Sequence, residues 1–241
     1  MLLPHLVAGG IAALLVFDWR RERGVVATLA RRIAAEQVSD LEDVLSIAHW
    51  INVTLPLRED PIFLTRVLGP LGGAPSAIIE HGGCCSGRAR LLILACGALG
   101  HLAAQVTLYD RTGQAKHCLV EIRLREGTVL VDPTYGLYYR GPSGALIGLD
   151  PLRRGTQPVL VALRSNRPAA YPRDEYYDFD YLETKTANWT KSRVRRFVYR
   201  VAHPLTLGRI DTVRLPVILE YPHILLATMI CPWYALLIAL V

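Results

Sequence analysis

The segment HGGCCSGRARLL, which begins at His81, places two adjacent cysteines between a pair of glycines and an apolar run. A cysteine acts as a nucleophile in its thiolate form, which a helix N-terminus and a nearby imidazole both favour. The imidazole must lie within hydrogen-bonding distance of the sulfur, and a third group should fix its tautomer. The segment therefore raises the question of whether Cys84 or Cys85 serves chemistry, and with which partners.

Two further residues stand where they could complete such a group. His117 lies in KHCLVEIRL (116–124), whose alternating side chains predict a strand, and Asp132 ends the next predicted strand, TVLVD. Neighbouring strands lie under about 5 Å apart, so the two side chains meet if both point to the same face. Because cysteine, histidine and aspartate occur in almost any chain of this size, the spacing allows a triad without requiring one.

Two helices are predicted before these strands. Ser39 followed by Glu42 matches a capping box and predicts the start of a helix with one apolar face. A second helix is predicted to begin near Cys85, and it is hydrophobic on almost every side from Leu91 onward, which is typical of a central buried helix.

The strands predicted after the buried helix form a meander. Turn sequences separate the segments 101–110, 116–124 and 128–132, and PVLVALR (158–164) predicts a fourth strand. A buried helix starting at the cysteines and packed on an antiparallel sheet is an α+β fold.

The run from Ser39 to Gly136 resembles the core of the transglutaminase-like cysteine enzymes, a superfamily related in architecture to papain-like proteases. Members of that family have a tryptophan-bearing helix, Gly-x-Cys with alanine four residues later, a strand beginning with histidine, and Val-Asp-Pro-Thr. This sequence has Trp50 in AHWIN, then GCCSGRAR, HCLVEI and VDPTYG in the same order. The resemblance covers about 100 residues and implies a papain-like arrangement of helix and sheet.

The resemblance also selects one of the two cysteines. Ala89 stands four residues after Cys85, as in the family, whereas Cys84 would put Arg88 in that place. The resemblance therefore implies that Cys85 is the nucleophile. It likewise implies that His117 is the base and then the acid, and that Asp132 is the orienting group.

The oxyanion would be held by the Cys85 N–H and by an upstream group near Trp50 to Asn52. The sequence departs from the family at Cys118–Leu119 and at Ser86–Gly87–Arg88. These departures leave the triad intact but change residues that could recognise a substrate.

The two ends of the chain are hydrophobic. Residues 1–17 and 221–241 contain no Asp, Glu, Lys or Arg, so each is either a membrane helix or a core helix of the folded domain. If both span, their basic flanks place residues 18–220, and with them the catalytic core, in the cytoplasm. Otherwise the protein would be cytoplasmic, and its five scattered cysteines suit that reducing compartment. Between the ends we expect a core over 25–164 and an irregular extension over 165–220.

Two functions follow as hypotheses. The first is a membrane-associated cysteine enzyme that performs acyl transfer on a peptide or other amide, by hydrolysis as in a thiol protease or amidase rather than by cross-linking. The second is a non-catalytic member of the same fold that serves as a scaffold or assembly factor at a membrane. Neither hypothesis calls for a cofactor.

Other partners have weaker support in the sequence. A zinc site built from Cys84, Cys85, His117 and Cys118 has the wrong spacing for the common zinc frames, so no metal is expected. The basic run KSRVRRFVYR favours contact with anionic lipid over nucleic acid, since no nucleic-acid motif accompanies it. The tyrosine-rich stretch 168–181 is predicted to be a loop, which either lines a ligand groove or is merely solvated.

Overall fold

The fold is of the α+β class, with helices packed on a curled antiparallel sheet. The computed structural model describes residues 2–34, 39–59, 62–63, 71–165, 167–171, 178–189, 193–214, 217–224 and 226–227. Its α-helices are α1 (Leu2–Ala34), α2 (Asp40–Thr54), α3 (Pro75–His81), α4 (Cys85–Ala98), α5 (Leu149–Arg153) and α6 (Arg193–Leu205). Single turns of 3₁₀ helix cover Arg209–Thr212 and Val217–Glu220.

Within the described residues, the main sheet has six strands in the order β7-β6-β5-β4-β3-β8, and every neighbouring pair is antiparallel. Its strands are β3 (Leu102–Asp110), β4 (Ala115–Leu124), β5 (Gly127–Asp132), β6 (Leu137–Arg140), β7 (Val159–Ala162) and β8 (Phe179–Lys185). A separate pair, β1 (Ile62–Phe63) and β2 (Leu71–Gly72), lies before α3. The predicted meander and fourth strand are confirmed, while β6 and β8 were not predicted.

Both predicted helix starts are confirmed. The Ser39 side chain accepts a hydrogen bond from the Glu42 N–H and so caps α2. Helix α4 begins at Cys85. Gly100, two residues after its last residue, has a left-handed backbone, and the His101 N–H donates to the Cys96 carbonyl to close the helix.

One face of the sheet packs on α4 and α2, and the second half of α1 packs on those two helices. The buried side chains are almost all aliphatic, and they include Val26 of α1, Ile47 of α2 and Leu92 of α4. Every second side chain of β4 points into this core, as predicted: Cys118, Val120, Ile122 and Leu124. We refer to this set as the aliphatic core.

The other face of the sheet has a core of its own. Leu119, Leu130 and Tyr139 point to that face and pack with α5 residues such as Leu149. Tyrosine and phenylalanine side chains from the 168–181 stretch pack against them: Tyr171, Phe179 and Tyr181. We refer to this set as the tyrosine core, and it covers the sheet on the side opposite α4.

The N-terminal hydrophobic segment is part of one long helix. Residues 2–17 form the first half of the uninterrupted helix α1 (Leu2–Ala34), whose second half packs in the aliphatic core. Glu22 of α1 is fully buried and accepts bonds from the Ser76 N–H (2.8 Å) and hydroxyl (2.6 Å). In the part of the chain that the structure describes, no helix is long and apolar enough to cross a membrane. Most of the C-terminal segment, 228–241, lies outside the described residues.

The extension over 165–220 is more regular than expected. It holds strand β8, helix α6 and both 3₁₀ turns, and β8 completes one edge of the main sheet. Periodicity missed β8 because its sequence, FDYLETK, mixes acidic and aromatic residues and is only half-buried.

Candidate active site

The glycines before the cysteines allow a close backbone crossing. Gly82 has φ +85°, and a Cβ there would lie 2.2 Å from the Pro56 carbonyl oxygen. The Gly83 N–H donates to the same oxygen at 3.3 Å. Only glycine fits this crossing, which joins the end of α2 to the loop that starts α4. The glycine pair thus fixes the position from which the cysteines project.

The two cysteines have different surroundings. Cys84 is the N-cap of α4, and its sulfur lies 3.2 Å from the Ser86 hydroxyl. Cys85 is the first helical residue, is partly exposed, and lies close enough to His117 to raise the pKa of that imidazole. The first turn of α4 contains no acidic residue, so the positive end of the helix favours negative charge on this sulfur.

His117 reaches the site from a distorted point of the sheet. Strands β3 and β4 are in register up to Leu108 opposite His117, after which Tyr109 pairs with Ala115. Lys116 is therefore the extra residue of a β-bulge, a feature that re-aims nearby side chains. The His117 side chain is buried, and its Nε2 lies 2.7 Å from Asp132 Oδ2.

The register of β4 and β5 explains this pair. Val120 lies opposite Val131, so Asp132 falls opposite Leu119, with His117 two residues further along the same face. The requirement that both side chains point to one face is therefore met. Since Nε2 is engaged by Asp132, the other ring nitrogen, Nδ1, is left for Cys85.

The Asp132 carboxylate is fully buried and accepts four hydrogen bonds. Oδ1 accepts the N–H groups of Thr134 (2.8 Å) and Tyr135 (3.0 Å). Oδ2 accepts from His117 and from the Tyr171 hydroxyl (2.8 Å). Each oxygen thus has two donors, which fills its acceptor capacity and holds the carboxylate in one orientation.

The charge of this group favours a protonated histidine. Burial by itself lowers the pKa of His117, but the negative charge and hydrogen bond of Asp132, together with contact with Cys85, raise it to about 10. At neutral pH the imidazolium form is therefore favoured.

The Arg88 side chain is buried and connects backbone segments around the site. The buried guanidinium donates to the carbonyl of Thr134 at 3.3 Å and to the carbonyl of Leu55. Burial lowers the pKa of Arg88, while the charge of Asp132 opposes that shift. The side chain thus ties α4 to the end of α2 and to the turn after Asp132.

Asn52, which lies in the segment expected to supply an oxyanion donor, supports the turn after Asp132. Its Nδ2 donates to the Thr134 carbonyl at 2.7 Å. Gly136 closes that turn with φ +67°, and a Cβ there would lie 2.8 Å from Asn52 Oδ1. Trp50 packs against the aliphatic core. The Cys85 N–H remains a first-turn donor without a partner inside the helix.

Tyr171 is the site residue that sequence reasoning did not identify. Its hydroxyl bonds to Asp132 and lies 2.8 Å from the Tyr139 hydroxyl, which belongs to the tyrosine core. Its ring meets His117 edge-on at 5.9 Å, and the Phe179 ring, which itself meets Tyr171 edge-on at 5.5 Å, stacks on His117 at 6.1 Å. The tyrosine-rich composition of 168–181 was the available signal, but composition does not show which tyrosine reaches Asp132.

A second group of ligand-type side chains lies at the other end of α4. Donor atoms of Asp40, Asp43 and His101 lie within 4.8 Å of one another, which is compatible with a metal ion. Asp40, however, is engaged by Arg125 through two hydrogen bonds of 2.7 and 2.6 Å. His101 follows the last turn of α4, whereas Cys85 begins the first, so this group is separate from the triad.

Comparisons with known proteins place the chain at a distance from all of them. No protein-family model matches it, and no curated protein matches it significantly. Solved structures that resemble it include a "putative cysteine protease" from Cytophaga hutchinsonii, at 22% identity and TM-score 0.36, with 46% of this chain and 37% of that chain covered. Another is a "putative protease" from Parabacteroides distasonis, at 15% identity and TM-score 0.38, with 67% of this chain and 30% of that chain covered.

These similarities carry no argument about activity, because both TM-scores are below 0.5 and the chain spans well under half of each solved structure. The class of protein is defined by the site: an α+β protein that brings Cys85, His117 and Asp132 together at the start of a buried helix. Such a group can attack a carbonyl carbon, hold the resulting charge and move one proton.

Proposed function

We propose that the protein is a transglutaminase-like cysteine enzyme that performs acyl transfer on an amide, with water as the usual acceptor. The observation that carries the proposal is the buried His117–Asp132 pair, with Nε2 2.7 Å from Oδ2, beside Cys85 at the start of α4. Each member meets a requirement of nucleophilic thiol catalysis: helix N-terminus, adjacent base and oriented imidazole.

In the first half-reaction, the Cys85 sulfur attacks the amide carbonyl carbon. A C–S bond forms as the carbonyl π electrons move to oxygen, and the Cys85 N–H donates to that oxyanion. When the oxyanion collapses, the C–N bond breaks and the His117 imidazolium gives its proton to the leaving nitrogen. The products are a free amine, a thioester on Cys85 and a neutral His117.

The second half-reaction restores the enzyme. Neutral His117 takes a proton from water as the water oxygen attacks the thioester carbon. Collapse breaks the C–S bond and releases a carboxylic acid, which leaves the thiolate and imidazolium as at the start. An amine in place of water would form a new amide by the same route, so the triad serves both outcomes. We favour hydrolysis because water needs no binding site of its own.

The test compares two adjacent cysteines. The full chain is assayed against a panel of peptides and simple amides, alongside Cys85→Ala and Cys84→Ala. We expect Cys85→Ala to abolish turnover and Cys84→Ala to keep most of it, since Cys84 contacts Ser86 rather than His117. Added hydroxylamine should trap the thioester as a hydroxamate in wild type.

If the protein is instead a non-catalytic scaffold with the same fold, the opposite results are expected. No substrate of the panel would be turned over, no hydroxamate would form, and both alanine variants would behave alike. That result would overturn the proposal.

A further inference from the structure

Helix α6 attaches to the rest of the protein by its polar side. The Tyr199 hydroxyl donates to Asp211 Oδ1 at 3.0 Å and accepts from Lys185 Nζ at 2.9 Å. One turn further on, the His203 ring packs on Tyr199 at 5.0 Å and its Nε2 lies 3.6 Å from Asp211. The contact with the protein body is thus made of rings, charges and hydrogen bonds.

The apolar side of the same helix faces outward. Its side chains recur at the spacing of one helix face, and the structure gives all of them as exposed: Phe197, Val198, Val201 and Leu205. Phe197 is 69% exposed and Leu205 is 78% exposed. A surface helix of a soluble domain normally buries its apolar stripe, so α6 has the reverse orientation. No described part of the chain covers this face.

Leu207 lies two residues after the end of α6 and is exposed at some cost to the backbone. Bonds from Leu207 N–H to the Pro204 carbonyl (3.2 Å) and from Gly208 N–H to the His203 carbonyl (2.9 Å) form a Schellman C-cap. In that motif Leu207 occupies the left-handed position that favours glycine, with φ +50°. Its side chain is 89% exposed and gains no packing within the described structure. Stability therefore does not account for a leucine at this position.

The charge of α6 indicates what covers the face. The helix sequence RVRRFVYRVAHPL has four arginines and no acid. Arg196 and Arg200 are exposed, and Arg200 follows Phe197 by three residues, so arginine borders the apolar strip. Two copies meeting through this face would place arginines against arginines. An apolar strip edged by arginine is instead the pattern of helices that lie in the headgroup region of anionic membranes.

We propose that α6 and Leu207 dock the protein on a membrane surface that contains anionic lipid, with the helix lying parallel to that surface. Phe197, Leu205 and Leu207 enter the boundary between headgroups and acyl chains, while Arg196 and Arg200 contact lipid phosphates. This is attachment at the surface, distinct from a spanning helix, and it is independent of the chemistry proposed for Cys85.

The experiment is co-sedimentation of the full chain with vesicles of phosphatidylcholine alone or mixed with phosphatidylglycerol. We expect binding to the anionic vesicles that weakens with added salt, and little binding to phosphatidylcholine. Leu207→Gly should weaken binding about tenfold, in line with the loss of one buried leucine. It should also leave thermal stability unchanged or raised, because glycine relieves the left-handed strain. Arg196→Gln with Arg200→Gln should weaken binding about 25-fold.

The matched control is Leu102→Gln, a leucine that is 65% exposed at the start of β3 and outside the proposed surface. It should leave vesicle binding as in wild type. The proposal is overturned if wild type ignores anionic vesicles, or if Leu207→Gly binds them as tightly as wild type. It is equally overturned if the chain forms a dimer that Leu207→Gly dissociates, since the occupant of the face is then a second copy.

Discussion

The two faces of the sheet differ in the kind of interaction that holds them. On one face the aliphatic core packs α4 against β3–β5 with side chains that lack polar atoms almost entirely. On the other, the tyrosine core contains Tyr139 and Tyr171, whose hydroxyls form a chain of hydrogen bonds that ends on Asp132. Burial of apolar area stabilises the first face without directional demands, whereas the second depends on donors at defined positions.

This difference separates stability from chemistry. The aliphatic core fixes where α4 starts and so where Cys85 lies. The tyrosine core fixes how Asp132 and His117 are oriented. Substitutions on the two faces should therefore have separable consequences.

The largest effect is expected for Asp132→Asn. Two N–H donors hold Oδ1 in place, so the new amide NH₂ would replace Oδ2 and point at His117 Nε2. The imidazole must then accept at Nε2 and carry its proton on Nδ1, which is the wrong tautomer for Cys85. We expect amide turnover to fall about 10⁴-fold.

The control for this variant is Asp150→Asn, an exposed aspartate at the start of α5. Its turnover should match wild type. Substantial activity in Asp132→Asn would show that Asp132 does not orient the imidazole.

On the aliphatic face, Leu92→Ala should lower the free energy of unfolding by about 2–5 kcal/mol, because a fully buried side chain of α4 leaves a cavity. Urea unfolding measures that change. At a temperature where the variant is folded, labelling of Cys85 by iodoacetamide should keep its wild-type rate. A loss of labelling without a loss of stability would contradict the division between the faces.

Stability should depend on pH through His117. Its pKa is about 10 in the folded protein against roughly 6.5 in the unfolded chain. Because the folded value is raised, the pair stabilises the fold fully below about pH 6.5 and loses that contribution as pH rises through about 10. Urea midpoints measured across this window should fall more steeply in wild type than in His117→Gln. Parallel slopes in the two proteins would contradict the charged pair.

The smallest effect is expected for Tyr171→Phe, which removes one of the four donors to Asp132. The lost hydrogen bond to the carboxylate should cost about 1.5–3 kcal/mol of stability. With less competition for Asp132 Oδ2, the pKa of His117 should rise further, so the alkaline limit of activity should move to higher pH. Tyr139→Phe is the control, since it keeps the Tyr171–Asp132 bond. The same pH profile in both variants would assign Tyr171 a packing role alone.

The sequence predicts the parts of this molecule whose signals are local. Alternation along 116–124 predicts β4, the apolar run after Cys85 predicts α4, and Ser39 with Glu42 predicts the cap of α2. The triad follows from spacing together with the family resemblance. The roles of its members stay a prediction until activity is measured.

The features that the sequence did not predict depend on contacts between residues that are far apart in the chain. Strand β6 is four residues long and is defined by its pairing with β5 and β7. Tyr171 reaches Asp132 across 39 residues of sequence, and Arg88 reaches Leu55 across 33. No local pattern encodes these contacts. The orientation of α6 is a third case, since periodicity shows that a helix has two faces but not which of them is covered.

The central claim is that Cys85 and His117 form an activated pair. Its most direct test is the rate of iodoacetamide alkylation at each cysteine against pH, read by peptide mass spectrometry in wild type and His117→Ala. The account predicts fast labelling of Cys85 at about pH 6 that collapses in the variant, with Cys84 slow in both proteins. Labelling of Cys85 that rises only above about pH 8 and ignores the substitution would contradict it.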